Sequence, residues 1–281
     1  MQRTIFLILL TVLFMGCKKE LDFEYHEIAP IVVIEGMVSN EGAEVKISHS
    51  RSVTDSVRSH GEAGGQVTIQ CKDTVWTLAF DWHTGYYRSA LKGIPGNTYQ
   101  LRVDFEGQHY EAEATMPPPA PILSAEFQWM PMLDTRFLFF EAWATDPDTE
   151  VENYFWFRID RHSSHPYVVK RHKNEVYRWG IFDERGCPPG RVFHDVSCVS
   201  EETIEENEED KWNSILYEGD AVMYHLMTID KPTFDYLRAL RSGQSGGANP
   251  ASNISGGCLG FFTATSITHA DTIMIHYDEL P

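Results

Sequence analysis

No apolar run in this chain is long enough to cross a membrane. The longest, Ile5 to Met15, holds eleven residues and is interrupted by Thr11. As a helix it would span about 16 Å, roughly half of a ~30 Å hydrocarbon core. Basic residues are also scarce: 23 Lys plus Arg stand against 41 Asp plus Glu, for a formal charge of −18. So acidic a chain repels phosphate backbones, and no basic patch with interleaved aromatics offsets the repulsion, which removes nucleic acid from the expected partners. The common chemical motifs are missing as well. The sequence contains no His-Glu-x-x-His for a zinc protease and no Gly-x-x-x-x-Gly-Lys for a phosphate cradle. GQSGG at 243–247 has the Gly-x-Ser-x-Gly spacing, but it follows a helix pattern, whereas a nucleophile elbow needs a strand before it and a helix after, so it reads as a loop. No cofactor, metal or catalytic residue is expected, and the chain reads as non-enzymatic.

The short apolar run does supply a leader. Arg3 precedes it and the small Gly16 closes it, which is the pattern of a removable signal peptide over 1–16. The next residue is Cys17, and the segment resembles a bacterial lipobox in which that cysteine is acylated and becomes the mature amino terminus. The third position before the cysteine departs from the usual Leu; it is Phe14, with Leu13 one place early. Residues 17–29 then form a lipid-anchored tether. Cleavage removes only Arg3 among the charged side chains, leaving a net charge of −19. Lys18-Lys19-Glu20-Leu21-Asp22 looks like the signals that send lipoproteins of the phylum Bacteroidota to the outer face of the outer membrane.

Four further cysteines remain: Cys71, Cys187, Cys198 and Cys258. CPPGRVFHDVSC places Cys187 and Cys198 across a Pro-Pro-Gly turn. An exported chain permits a disulfide there, worth on the order of 3 kcal/mol by the chain-entropy model. Zinc ligation with the intervening His194 competes, although structural zinc sites usually bring ligands in tighter pairs. The spacing favours the disulfide and leaves Cys71 and Cys258 undecided.

From Ile31 the hydrophobic period is two. IVVIEGMV, AEVKIS, GQVTIQC, TVWTLAF, GYYRSAL, TYQLRVDF and HYEAEATM are separated by Gly, Asn, Asp or Ser. These strands predict an antiparallel β-sandwich of immunoglobulin or transthyretin type over 30–116. PPPAP at 117–121 breaks the ladder pattern and marks a linker. Beyond it, 122–281 reads as a second β-rich domain built from RFLFFEAWATD, NYFWFRIDR, DAVMYHLMTID and a last strand from Cys258. One helix is predicted near 231–242, with Asp230 as cap, Pro232 in the first turn and Gly243 at the end. The stretch 162–213 reads as polar loop. In it His162, His165 and His172 suggest solvated side chains, and EETIEENEED at 201–210 a mobile acidic run without the spacing of a calcium loop.

The lipobox at Cys17, IVVIEGMV at 31–38, TYQLRV…YEAEATMPPPAPI at 98–122, DPDTEVENYFWFRI at 146–159, TIDKPTFDYLRAL at 228–240 and NPASNISGGCLGFFTATS at 249–266 together resemble the domain-of-unknown-function 4249 family of Bacteroidota lipoproteins. The resemblance spans nearly the whole chain after the leader. Its motifs are structural, so it carries over no functional residue beyond Cys17. It implies a cell-envelope lipoprotein, of a family whose genes commonly neighbour TonB-dependent outer-membrane receptors. The leading expectation is a surface-exposed, lipid-anchored outer-membrane protein that works with such a β-barrel transporter as lid or ligand-capture accessory, with Trp129, Trp179 and Trp212 as contact candidates. A secreted hydrolase of glycans or peptides, and an adhesin or outer-membrane assembly accessory, are the alternatives.

Overall fold

Residues 29–51, 60–170, 174–243 and 249–281 are described by the structure, a computed structural model. Strands make up 51% and helices 11%, so the chain is mostly β, as its period-two pattern predicts. The first seven strands are β1 (Val32–Ser39), β2 (Ala43–His49), β3 (Gln66–Cys71), β4 (Thr74–Asp81), β5 (Tyr86–Ser89), β6 (Thr98–Phe105) and β7 (Gln108–Thr115). Alternation sets their faces. In β6, Tyr99, Leu101, Val103 and Phe105 are buried while Gln100, Arg102 and Asp104 face water. The inward residues interdigitate with Ile34, Val45, Ile47, Val67 and Ile69 to form the first core.

The second sandwich sets β8 (Ile122–Met132), β9 (Thr135–Thr145) and β12 (Arg191–Ser200) against β10 (Tyr154–His162), β11 (Asn174–Asp183), β13 (Ala221–Ile229) and the far end of β14 (Leu259–His269), with the short β15 (Ile273–Met274) beside β13. Its core holds Phe127, Leu138, Phe140, Phe155, Phe157 and Leu226. The stretch 162–213 is therefore not loop. It contains β11, β12 and two short helices, α1 (Pro166–Val169) and α2 (Glu201–Glu206). Polar residues at inward positions hide these strands from a hydrophobicity reading: β12 turns His194 into the core between Val192 and Cys198. The acidic run is α2 and the turn after it, capped by Ser200, with Glu201 paired to Arg136, and Glu206 and Glu208 to Lys211.

The predicted helix is α3 (Lys231–Gly243). The Asp230 carboxylate accepts from Thr233 N at 2.9 Å, the capping bond that Ser, Thr and Asp supply at helix starts. Phe234 and Leu237 pack on Tyr154, Met227, Ile229 and Phe261 across the outer face of the sheet that holds β10, β13 and β14, forming a third, smaller core.

The Cys187–Cys198 bridge is not formed, and all four described cysteines are free. The Cys187 sulfur accepts from Phe193 N at 3.4 Å. Cys198 lies five residues further along β12, about 16 Å at ~3.3 Å per residue, whereas bridged Cα atoms lie within ~7 Å. Burial pushes the Cys198 thiol up to about 12, so it stays protonated inside the second core.

The two sandwiches share β14. Its first seven residues pair in parallel with β1, from Val33↔Leu259 to Ser39↔Thr265, and its last four pair antiparallel with β13. One continuous sheet therefore runs β11-β10-β13-β14-β1-β2-β5-β4-β3-β6-β7. Two asparagines complete the strand's hydrogen bonding: Asn253 bonds Phe262 N and O at 2.9 and 2.7 Å, and Asn40 bonds Ile267 N and O at 2.8 and 3.0 Å. The 117–121 segment is docked along the same strand, with Ser266 Oγ donating to Pro117 O and Thr268 Oγ1 to Ala120 O.

Gly260 permits the β1 pairing. Its φ is +102°, and a Cβ there would lie 1.9 Å from Ile34 O. Gly260→Ala is expected to destabilise the whole protein by about 3 kcal/mol or more in urea unfolding. A loss below about 1 kcal/mol would show that the shared strand is not where the fold's stability concentrates.

Candidate functional site

The shared sheet carries a cleft of about 580 Å³ on its outer face, where the second sandwich meets the β1–β2 turn and β5. The alternation that buries Phe155, Phe157 and Ile159 turns Trp156, Arg158 and Asp160 of β10 outward. β13 presents His225 and Met227 to the same side, β14 adds Ile267 and His269, and Glu41 reaches in from the β1–β2 turn.

Five charged or titratable side chains form one chain of contacts through this cleft. His225 and His269 are directly opposed on β13 and β14, with Nδ1 atoms 2.5 Å apart. His269 Nε2 pairs with Glu41. His225 Nε2 lies 3.2 Å from Asp160 Oδ2, off the axis of a good hydrogen bond, and Arg158 contacts the same carboxylate at 2.9 Å. Burial works against the Asp160 charge, but His225 and Arg158 outweigh it and hold the carboxyl below its ordinary range. Trp156 Nε1, buried in the cleft wall, has no hydrogen-bond acceptor among the described residues. Native proteins satisfy nearly all such atoms, so an aromatic donor left open beside a polar relay marks a place for a polar ligand or water.

A second cluster joins His49, Glu62 and Glu106 at the end of the first sandwich. His49 Nδ1 contacts both Glu62 oxygens at 3.0 and 3.1 Å, and Nε2 lies 3.5 Å from Glu106. The Glu62 hydrogen bond raises the His49 pKa against the opposing effect of burial, with Glu106 adding to the rise. Both ring nitrogens are spent on carboxylates, which makes this an ion-pair clamp.

Cys17 and His172 lie outside the described residues. His162 is exposed, whereas His165 stacks on Tyr217 with ring centroids 3.6 Å apart and caps α1. His194 is no loop residue: it stacks on Phe157 at 4.4 Å and meets the Tyr224 hydroxyl at 2.5 Å inside the second core. Trp129 packs on Tyr277 and Arg136, Trp179 lies against Arg241, and Trp212 leans on the second core beside Arg161. None of the three lines the cleft; Trp156 does. Its signal was present in NYFWFRIDR, where the outward positions of a predicted strand read Trp, Arg, Asp.

Fold and cleft together define a tandem β-sandwich protein with a ligand-sized recess at its joint. The chain belongs to the family described as domain of unknown function (DUF4249), whose pattern matches residues 18–271. No curated protein matches it. Among solved structures it is similar to a chain of a cytokine receptor complex, with 9% identity, 72% of this chain and 92% of that chain covered, and a TM-score of 0.25. It is also similar to the chicken interferon gamma receptor alpha chain, with 8% identity, 72% and 90% covered, and a TM-score of 0.19. These likenesses are too loose to bear on function.

Burial depresses the His194 pKa from 6.5 to about 3. Between those values the unfolded chain binds the proton and the folded one does not, so stability falls as pH drops below 6.5, by up to ~1.4 kcal/mol per unit. His194→Phe should lose about 2 kcal/mol less than wild type between pH 7 and pH 5 in urea titrations. Parallel pH profiles for the two proteins would refute this assignment.

Proposed function

We propose that this chain is a surface-exposed, non-enzymatic lipoprotein of the outer membrane that serves a TonB-dependent β-barrel transporter, capturing ligand in the junction cleft and presenting it at the barrel mouth. The observation that carries the reading is the eleven-residue apolar run that stops at Gly16-Cys17 and gives way at once to Lys18-Lys19-Glu20. Two or three acyl chains at ~0.8 kcal/mol per buried methylene make such an anchor effectively permanent. Fully extended, residues 17–29 reach at most about 45 Å, so the body stays within about one protein diameter of the bilayer and any barrel there meets it at high effective concentration.

Two features support a binding role. The body's acidity keeps it off an anionic membrane surface while the lipid holds it close. The β8–β9 hairpin ends in Met130, Met132 and a fully exposed Leu133, an apolar tip suited to a barrel rim.

A palmitate analogue should label the wild-type protein in cells, and Cys17→Ala should abolish the label and release the protein from membranes. In mild detergent the wild-type protein should co-purify with a stoichiometric β-barrel. An unmodified amino terminus in mass spectra of the native protein, or solubilised protein that never carries a barrel, would sink the reading.

A further inference from the structure

The histidine pair holds more than a salt-bridge relay. Carboxylates accept hydrogen bonds and donate none, so Glu41 places the hydrogen of His269 on its Nε2 atom, whereas His225 Nε2 makes no hydrogen bond in this geometry. His269 Nδ1 is then an acceptor, and it faces His225 Nδ1 at 2.5 Å. Bare lone pairs would repel at that distance. In the metal-free protein His225 therefore carries its hydrogen on Nδ1 and donates it to His269, and a cation can take that hydrogen's place between the rings.

We propose that His225 and His269 bind a divalent transition-metal ion, such as zinc or copper, through their Nδ1 atoms, with its remaining positions open to the cleft. Ligating imidazoles almost always donate their other N–H to a carboxylate, which fixes the tautomer and raises basicity. His269 has that support from Glu41, and Asp160 Oδ2, 3.2 Å from His225 Nε2, is placed to accept the second ring's N–H once its proton moves there. The rings are directly opposed across an antiparallel pair, so the ladder holds them face to face without help from a loop. Metal–nitrogen bonds of ~2.0–2.1 Å at a tetrahedral angle put the two nitrogens about 3.3 Å apart, so the rings need to part by roughly 0.8 Å. His269 can supply this, because it ends β14 and its side chain is 37% exposed, whereas the His225 side chain is 10% exposed and fixed. As the ion enters, the His225 proton shifts from Nδ1 to Nε2, beside Asp160, so both rings stay neutral. Arg158 is a positive neighbour, but Asp160 is in contact with it, and Glu41 leaves the surroundings of neutral rings with a net negative charge.

Two protein ligands leave the metal coordinatively open. Trp156, with its unpartnered Nε1, stands on the same cleft wall, so the incoming ligand is expected to be a metal complex with polar, hydrogen-bond-accepting arms. This deepens the ligand-capture reading of the cleft and rests on it, but it does not require the lipid anchor.

The test is calorimetric titration of the purified full chain with zinc chloride, alongside electron paramagnetic resonance with copper(II). One ion per chain and a copper signal split by two imidazole nitrogens are expected. His269→Ala should abolish both, and Glu41→Gln, at an exposed position that leaves folding intact, should weaken zinc binding about 10- to 100-fold. His49→Ala should leave binding unchanged. Absence of stoichiometric binding, meaning a hydrogen-bonded histidine pair only, overturns the proposal, as does binding that survives His269→Ala or is lost with His49→Ala. Barrel co-purification that persists in His269→Ala while the zinc titration fails would remove the metal alone. Zinc binding without any barrel partner would remove the transporter reading and keep the site.

Discussion

A strand has two hydrogen-bonding edges, and β14 must satisfy both while passing from one sandwich to the next. It does so by changing partners midway, from parallel pairing with β1 to antiparallel pairing with β13. Backbone groups left open inside a protein cost about as much as a lost hydrogen bond, so the handover between partners is the weak point of the design. Asn253 and Asn40 cover it. Each side-chain amide imitates a peptide unit, donating and accepting against one residue of β14. The Pro-rich segment 117–121 is held to the same strand through Ser266 and Thr268, so it acts as a docked brace between the sandwiches. The register of β14 then decides what faces what: because Thr228 pairs with Ser266, His225 must pair with His269.

The second sandwich tolerates a good deal of polarity in its interior. Arg161 is fully buried, pairs with Glu175, lies 4.0 Å from Asp220 and donates to the Trp212 and Ile215 carbonyls. Burial lowers its pKa despite these partners. Replacing such a network with apolar residues is often neutral for stability, but removing one member leaves an uncompensated charge costing ~3–5 kcal/mol. What the network does supply is position: the Trp212 and Ile215 carbonyls tie the irregular 212–217 segment to β10, and the Tyr177 hydroxyl donates to the adjoining Ser214 carbonyl.

The sequence was most legible where alternation was clean. TYQLRVDF maps onto β6 residue for residue, and Asp230, Pro232 and Gly243 bracket α3 as capping chemistry requires. Legibility failed for two physical reasons. In β11 and β12, Arg178, His194 and Ser197 interrupt the apolar period, and the pairing that makes β12 a strand comes from β9, remote in sequence. The cleft was invisible for a stronger reason. His225 and His269 lie 44 residues apart, and Glu41 is more than 200 residues from its partner His269, so only the strand order joins them. Histidine proximity in sequence pointed to His162, His165 and His172 instead. The expected disulfide failed likewise, because eleven residues of separation say nothing about a chain that runs straight once it enters β12.

Placing the cleft at the handover of β14 has an energetic consequence. Its walls come from both sandwiches: Glu41 from the first, Trp156 and His225 from the second, and His269 from the strand that joins them. A ligand filling it touches both bodies at once, so whatever it gains by binding it also contributes to holding them in register, in proportion to the logarithm of its concentration over its dissociation constant. The reverse holds by linkage. Any force that pries the sandwiches apart must weaken the grip on the ligand by the same factor. A recess within either sandwich alone would not provide that coupling.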